Sequence, residues 1–503
     1  MPLPYAALLL VPCLLFAGQA LYNIFLHPLR RFPGPTHTAA FKWPWFWHKA
    51  RGTQVAWITE LHRQYGHVVR VAPDQLSYTN AEAWKDIYGH KTPAGRGNLP
   101  KDLRFYPQPA VGTTGIVMAN DADHSRVRRS IAHAFSEKAL IEQEPMIRHY
   151  VGLLVEKLRD AASVPVGDNS IDMVRMFNYT TFDVMADLAF GESLGLLERA
   201  DYIPWVASII QTVKAAGIIG TIQSAFPLLM PVLMKTVLRG MQESRHKHSR
   251  FAQEHVDKRL ARETTRPDIW TFVLRNTAND AAKGGLSLAE MHANAATLMG
   301  AGTETTATVL SGACWLLCNN RDKLNQLNDE VRQAFGSAGD LGMQTLARLP
   351  YLNACLQESL RMFPPAPLGL PRVTPRGGAV ICGKPVAERT TVYVSHFAAY
   401  HNASNFYDAY NFHPERWLPD ADPCFADDKK NVMEPFSFGP RNCVGKNLAW
   451  HEMRAILANI VLNFDMQLSE KTVKNWMDQK AYLVWDKTPL YINLKPVAQD
   501  VKA

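Results

Sequence analysis

The chain has 503 residues, of which 47% are hydrophobic and 20% charged, with a formal charge of +8. That composition excludes a disordered or collagen-like protein, and the length suffices to bury a large core. The positive balance admits a nucleic acid, a membrane surface or an acidic partner. No long basic run or aromatic-interleaved patch speaks for nucleic acid. The seven cysteines, at 13, 314, 318, 355, 382, 424 and 443, show no paired spacing and no C-x-x-C. Neither a disulfide framework nor a zinc site is indicated, so a reducing compartment is expected, with the sequons at Asn178 and Asn402 unglycosylated.

From Met1 to Leu29 no side chain is charged, and Tyr5 to Leu26 is mostly apolar. As a helix this run is long enough to cross about 30 Å of hydrocarbon. Arg30 and Arg31 follow it, which places the remainder of the chain on the cytoplasmic side. The length of the run and the lack of a basic leading segment argue against a cleaved signal peptide. Residues 1–29 are therefore read as a membrane anchor and residues 30–503 as one domain. Phe32-Pro33-Gly34-Pro35 forms a stiff hinge between them.

The stretch from His124 to Phe135 reads as a helix with His124 and Arg128 on one face. Arg126 and Arg129 are either a solvated basic face or a docking surface for an acidic protein. From Ile203 to Leu233 only Lys214 is charged, but Pro204, Gly217, Gly220, Pro227 and Pro231 suit short helices and turns better than a second membrane span. Ser287-Leu288-Ala289-Glu290 is a capping box. It opens a helix that runs to about Cys318, roughly 45 Å. Inside that helix, Ala301-Gly302-Thr303-Glu304-Thr305-Thr306 contains poor helix formers. Their placement makes sense if Gly302 opens room for a bulky group and Thr305 turns a hydroxyl toward it.

Tyr351 to Met362 reads as a helix stopped by Pro364-Pro365, with Glu358 and Arg361 on one face. Ala379 to Cys382 and Thr390 to Ser395 are β-rich and make a small sheet. The stretch Phe436 to Gly445 reads as a rigid loop that offers the Cys443 sulfur to a metal. After it, Ala449, Met453, Ile456, Leu457, Ile460, Val461 and Phe464 form the stripe of a core-facing helix. Backbone N–H groups and the dipole at that helix start favour a thiolate. Gly439 permits a bend, Gly445 permits close approach of a flat cofactor, and Arg441 offers a fork suited to a carboxylate.

Phe436, Gly439, Arg441, Cys443 and Gly445, at these offsets, resemble the haem-binding signature of the cytochrome P450 monooxygenases. The resemblance covers nearly all of residues 26–495 and is most specific in residues 301–445. It implies a mainly α fold with a small β portion, preceded here by an N-terminal transmembrane helix. Haem b would lie between the long helix and the helix after Cys443, with Cys443 as the iron ligand. The resemblance makes Glu304 and Thr305 an acid and alcohol pair that delivers protons. It assigns His124, Arg128, Arg372 and Arg441 to the haem propionates, and Phe436 and Gly445 to the haem pocket. Glu358, Arg361 and Arg416, the last from Phe412-His413-Pro414-Glu415-Arg416-Trp417, resemble the family's buried structural triad.

By the same resemblance Asn178 to Glu192 is a structural helix and Ile203 to Leu233 a lid. Met291 to Ala301, Ala366 to Leu370 and Ala481 to Val484 would meet substrate. Two departures stand out: His124 replaces the family's usual Trp, and Val386 to Thr390 replaces its usual Pro-x-Gly-Thr turn. The activity implied is NADPH-dependent insertion of one atom of O2 into an apolar small molecule, with electrons from cytochrome P450 reductase and cytochrome b5 as a further donor. The expected location is the endoplasmic reticulum membrane, single-pass, with the catalytic domain facing the cytosol. The chain is similar to fungal hydroxylases of secondary metabolism, such as those acting on trichothecenes, which suggests a terpenoid, polyketide or alkaloid substrate. The alternatives are a haem-thiolate isomerase or dehydratase that needs no external electrons, against which the intact Thr305 argues, and a non-enzymatic haem carrier or sensor.

Overall fold

Ser287 starts the element around which the rest packs. Its hydroxyl accepts the Glu290 N–H while the Glu290 carboxylate accepts the Ser287 N–H, so both halves of the capping box form. In the computed structural model, helices are numbered as follows: α1 (Leu3–Leu21), α2 (Trp43–Arg51), α3 (Gln54–Tyr65), α4 (Asp121–Ala132), α5 (Glu137–Ala162), α6 (Met173–Phe190), α7 (Arg239–Leu260), α8 (Leu288–Asn319), α9 (Pro350–Met362) and α10 (Lys446–Asn463). The residues described are 3–92, 97–106, 112–163, 170–201, 205–206, 219–220, 222–223, 230–236, 239–279, 285–335 and 341–497. Most of the expected lid, 203–233, lies outside them.

Helix α8, 32 residues long, is the central rod. Helices α6, α7, α9 and α10 pack along it. Every residue of α6 from Phe177 to Phe190 is buried, so the helix shows no polar face, as expected for an element enclosed on all sides. Its polar groups are paired internally: Asp183 accepts from the N–H groups of Leu196 and Leu197, and Asp187 accepts from the Tyr150 hydroxyl. Gly191 ends it in the left-handed conformation, φ 68°. Helix α9 starts on Pro350 and stops at Met362, just before the two prolines that bar its continuation.

The β portion is small. Strands β1 (Val68–Ala72), β2 (Gln75–Tyr78), β4 (Arg372–Val373) and β7 (Thr391–Val394) form one sheet in the order β1-β2-β7-β4, with β2 and β7 parallel. Strands β3 (Ser170–Asp172), β8 (Phe464–Leu468) and β11 (Tyr491–Pro496) form a second, in which Ile492 faces both Ile171 and Leu468. Two hairpins complete it: β5 (Ala379–Ile381) with β6 (Lys384–Val386), and β9 (Lys480–Ala481) with β10 (Trp485–Asp486). The expected mainly α fold with a small β portion is therefore present.

The unusual Val386 to Thr390 segment still makes a turn. Arg389 takes a left-handed conformation, φ 57°, where glycine would be unstrained. Thr390 fixes it by donating from its hydroxyl to Ala387 O (2.8 Å) and from its N–H to the Thr374 hydroxyl (2.8 Å).

At the N-terminus, α1 continues through a π-helical turn, Tyr22–Leu26, and breaks at His27. Buried Asn23 ties this end to the body: its Nδ2 donates to Ala40 O, and its carbonyl accepts from Arg70. Val11, Leu14, Leu15, Phe16, Phe25 and Leu26 are exposed. Among the described residues, no helix is long and apolar enough to cross a membrane.

Candidate active site

The loop before α10 is rigid for reasons written in its backbone. The Cys443 N–H donates to Phe436 O (2.8 Å) and the Asn442 N–H to Gly439 O (3.1 Å). Gly439 has φ 75°, and a Cβ there would lie 2.1 Å from Tyr88 O, so no other residue fits. Ser437 also has a positive φ, 61°. At Gly445 the chain itself makes no such demand: a Cβ would touch only the Phe135 ring, at 3.9 Å.

Helix α10 begins at Lys446 with Gly445 as its cap, so Cys443 lies two residues before the cap and meets the helix start through the Gly445 N–H. Desolvation by the surrounding loop pushes the Cys443 thiol up although the residue itself is exposed, and the Gly445 N–H at the helix start, Arg128 and Lys446 each pull it back toward the thiolate. A metal ion bound there would add its own charge, which deprotonates a coordinating thiol.

Beside this loop lies a cluster of cationic side chains. Arg372 is buried; one of its amino groups donates to Leu99 O (2.7 Å), while its Nε has no partner. Arg441 is tied to Asp121 (2.8 Å) and Ala119 O (2.9 Å), leaving Nη1 buried and unpartnered. Burial, then Arg441, Lys101 and Arg128, push His124 down to about 4. Burial, then Arg372 and Arg441, push Lys101 down to about 7. A cluster with orphaned donors and Asp121 as its near countercharge wants an anion. The propionates of a haem fit it. Arg128 is engaged differently: it donates to the Asn442 carbonyl (2.6 Å) and amide oxygen (2.5 Å), bracing the residue before Cys443.

Arg126 is not a free docking residue. It is ion-paired to Glu290 of the capping box and donates to Gly285 O (3.2 Å), so it fastens α4 to the start of α8. Arg129 is exposed.

Along α8, the Thr305 hydroxyl donates to Ala301 O (2.7 Å) and remains partly accessible. Glu304 is buried on another face, ion-paired to Lys487. The two therefore share a turn without touching. Gly302 does not open room for a cofactor, as the sequence suggested. A Cβ there would lie 2.6 Å from Met185 Sδ, so this glycine lets α6 and α8 close on each other.

The triad forms as expected and is fully buried. Arg361 grips Glu358 with two bonds, Nη2 to Oε1 (2.7 Å) and Nε to Oε2 (2.9 Å), and Arg416 Nε adds a third (3.1 Å). Burial alone would raise the Glu358 carboxyl; Arg361 and then Arg416 hold it below its usual value. Two partners were not foreseen. Trp417 donates its indole N–H to Glu358 (2.8 Å), and Asp428 pairs with Arg416, balancing the two guanidinium charges. Trp417 was legible as the end of the motif carrying Arg416. Asp428, Lys101 and Lys487 had no local signal, because each meets its partners only through the fold.

The family model for cytochrome P450 matches residues 33–494. The chain is 43% identical to cytochrome P450 monooxygenase efuB of Hormonema carpetanum, over 94% of this chain and 93% of that one. It is 42% identical to cytochrome P450 monooxygenase FUM2 of Gibberella moniliformis, over 94% and 98%. It is 40% identical to cytochrome P450 monooxygenase astJ of Aspergillus oryzae, over 95% and 94%.

Proposed function

This chain belongs to the cytochrome P450 family, and we propose from that premise that it is a membrane-anchored, reductase-fed monooxygenase of fungal secondary metabolism, acting on an apolar terpenoid, polyketide or alkaloid. As a member of the family it is a haem-thiolate monooxygenase, using a redox partner, a small-molecule substrate and O2. NADPH, through cytochrome P450 reductase, is the proposed electron source. The bound haem supplies reduction of O2 and transfer of one oxygen atom. The observation that carries the reading is the Cys443 loop, braced by Arg128 and flanked by the unpartnered donors of Arg372 and Arg441.

In this reading Cys443 holds the iron, and Arg372 and Arg441 bind the propionates. His124 stays neutral beside them, so it donates one hydrogen bond without adding charge. Thr305 holds its hydroxyl on the accessible face of α8, and Glu304, the residue before it, is the acid from which protons are relayed to it. Ala366 to Leu370 forms the apolar wall. The uncharged, mostly apolar run from Tyr5 to Leu26, followed by Arg30 and Arg31, supports a membrane anchor with the catalytic domain facing the cytosol, in the endoplasmic reticulum, although no described helix is by itself long and apolar enough to cross. The isomerase reading gains nothing here, since the relatives above are named as monooxygenases.

The test is turnover under labelled O2 with NADPH and reductase, on compounds first chosen by substrate-induced spectral shifts. One labelled oxygen per product is expected. Turnover without NADPH, or product free of label, would overturn the reading.

A further inference from the structure

Lys49, on α2, is a cation that the fold buries without an ion pair. The residue is 2% exposed, and its ammonium lies over the rings of Trp45, at 4.6 Å, and Phe105, at 4.0 Å. It lines a recess shared with Gln54 of α3, Gln75 of β2, Leu368 and Gly369. Gln54 and Gln75 are themselves 3% and 5% exposed. Among the described residues, none of the three polar side chains makes a hydrogen bond or an ion pair. The carboxylates at the rim are already engaged: Asp102 accepts from Arg104 (2.9 Å) and Thr391 (2.6 Å), and Asp74 accepts from Lys42 (2.9 Å) and Arg104 (2.9 Å). Three cations thus meet two carboxylates. Burial pushes the Lys49 ammonium down to about 7, with Asp102 opposing. Two aromatic faces offset only part of the cost of a desolvated charge, and unpaired buried amides add to it. Lys42 and Arg104 are partly exposed, so the recess opens outward.

We propose that this recess is a carboxylate subsite, and that the apolar substrate carries an acid group that docks in it. An ammonium and two amide groups offer donors to both oxygens of a carboxylate, and a charge-assisted set of this kind is stronger than a neutral one. The arriving charge also supplies the partner that Lys49 lacks. A ligand with no acid leaves the same donors unpaired, which is how a polar site rejects an analogue missing its group. Leu368 and Gly369 belong to the 366–370 stretch read above as the apolar wall, so an acid held here lays its apolar remainder against that wall. The link to substrate rests on that reading; the anion site itself does not.

Dodecanoate and 1-dodecanol, which share a tail length and differ in the head, are the probes. Each is titrated into purified ferric holoenzyme and followed both by equilibrium dialysis and by the substrate-induced spectral shift. The wild type should bind dodecanoate about tenfold or more tightly than dodecanol by both readouts, the least that a hydrogen bond to a charged group supplies. Lys49→Met should erase that preference while leaving dodecanol binding unchanged, and Gln75→Leu should lower it severalfold. No preference in the wild type, or an unchanged preference in Lys49→Met, overturns the proposal. Methionine fills similar space and carries no charge, so without ligand Lys49→Met should unfold at or above the wild-type temperature; a lower temperature, or failure to fold, would make Lys49 a structural residue and overturn the proposal as well. A preference that depends on Lys49 in dialysis but produces no spectral shift would assign the recess to a membrane fatty acid and overturn the substrate link. Neither readout uses electrons or O2, so failure of the monooxygenase reading in the labelled-oxygen test leaves this result standing.

Discussion

At the scale of single residues, this site depends on ionisable groups held in unusual states by burial. Glu452, on α10, is the clearest case outside the haem contacts. Burial pushes its carboxyl up to about 8, with the Thr306 hydroxyl opposing, so the folded protein keeps a proton that the unfolded chain releases above its ordinary pKa of about 4.3. The associated stability is complete below that value and is lost as pH rises toward 8, because over that window the folded state binds more protons. Glu452→Gln removes the titration. Its unfolding free energy should nearly match the wild type near pH 5 and exceed it at pH 8, by on the order of 2 to 4 kcal/mol. Equal pH profiles for the two proteins would show that Glu452 ionises normally. Neighbouring His451, buried and pushed down to about 4 by burial and then Arg454 and Arg148, is neutral across the same window and leaves the comparison clean.

At the scale of elements, the glycine in α8 is a packing device. Gly302→Ala gains up to about 1 kcal/mol of helix propensity and incurs about 1 to 3 kcal/mol of overpacking against Met185. A net loss of about 1 kcal/mol is expected in thermal unfolding. Combined with Met185→Ala it should cost less than the sum of the two changes, since the residues share one contact; strict additivity would contradict the packing role. Motifs that act through their own helix or loop were legible in the sequence: the capping box at Ser287, the stop after Met362, the bend at Gly439, the pairing of Glu358 with Arg361. What escaped was set by approach between distant elements. The closeness of α6 to α8 gave Gly302 a different purpose, Glu290 captured Arg126, and Lys487 captured Glu304. Arg389 shows the reverse, a turn retained despite residues that argued against it, because Thr390 is bonded to Ala387 within the segment and to Thr374 outside it.

At the scale of the whole molecule, a helical body carries an N-terminal apolar helix whose end is fastened through Asn23 to Ala40 and Arg70. Removing Met1 to Leu29 should shift the protein from the membrane fraction toward the soluble fraction in cell fractionation; unchanged partition would locate membrane binding elsewhere on the body. Everything functional in that body refers back to one sulfur. The most direct measurement is the carbon monoxide difference spectrum of the reduced protein, in wild type and in Cys443→Ser at equal haem content. The wild type should show the long-wavelength band of thiolate ligation, and the serine variant should lose it. Retention of that band in Cys443→Ser would mean that another residue holds the iron.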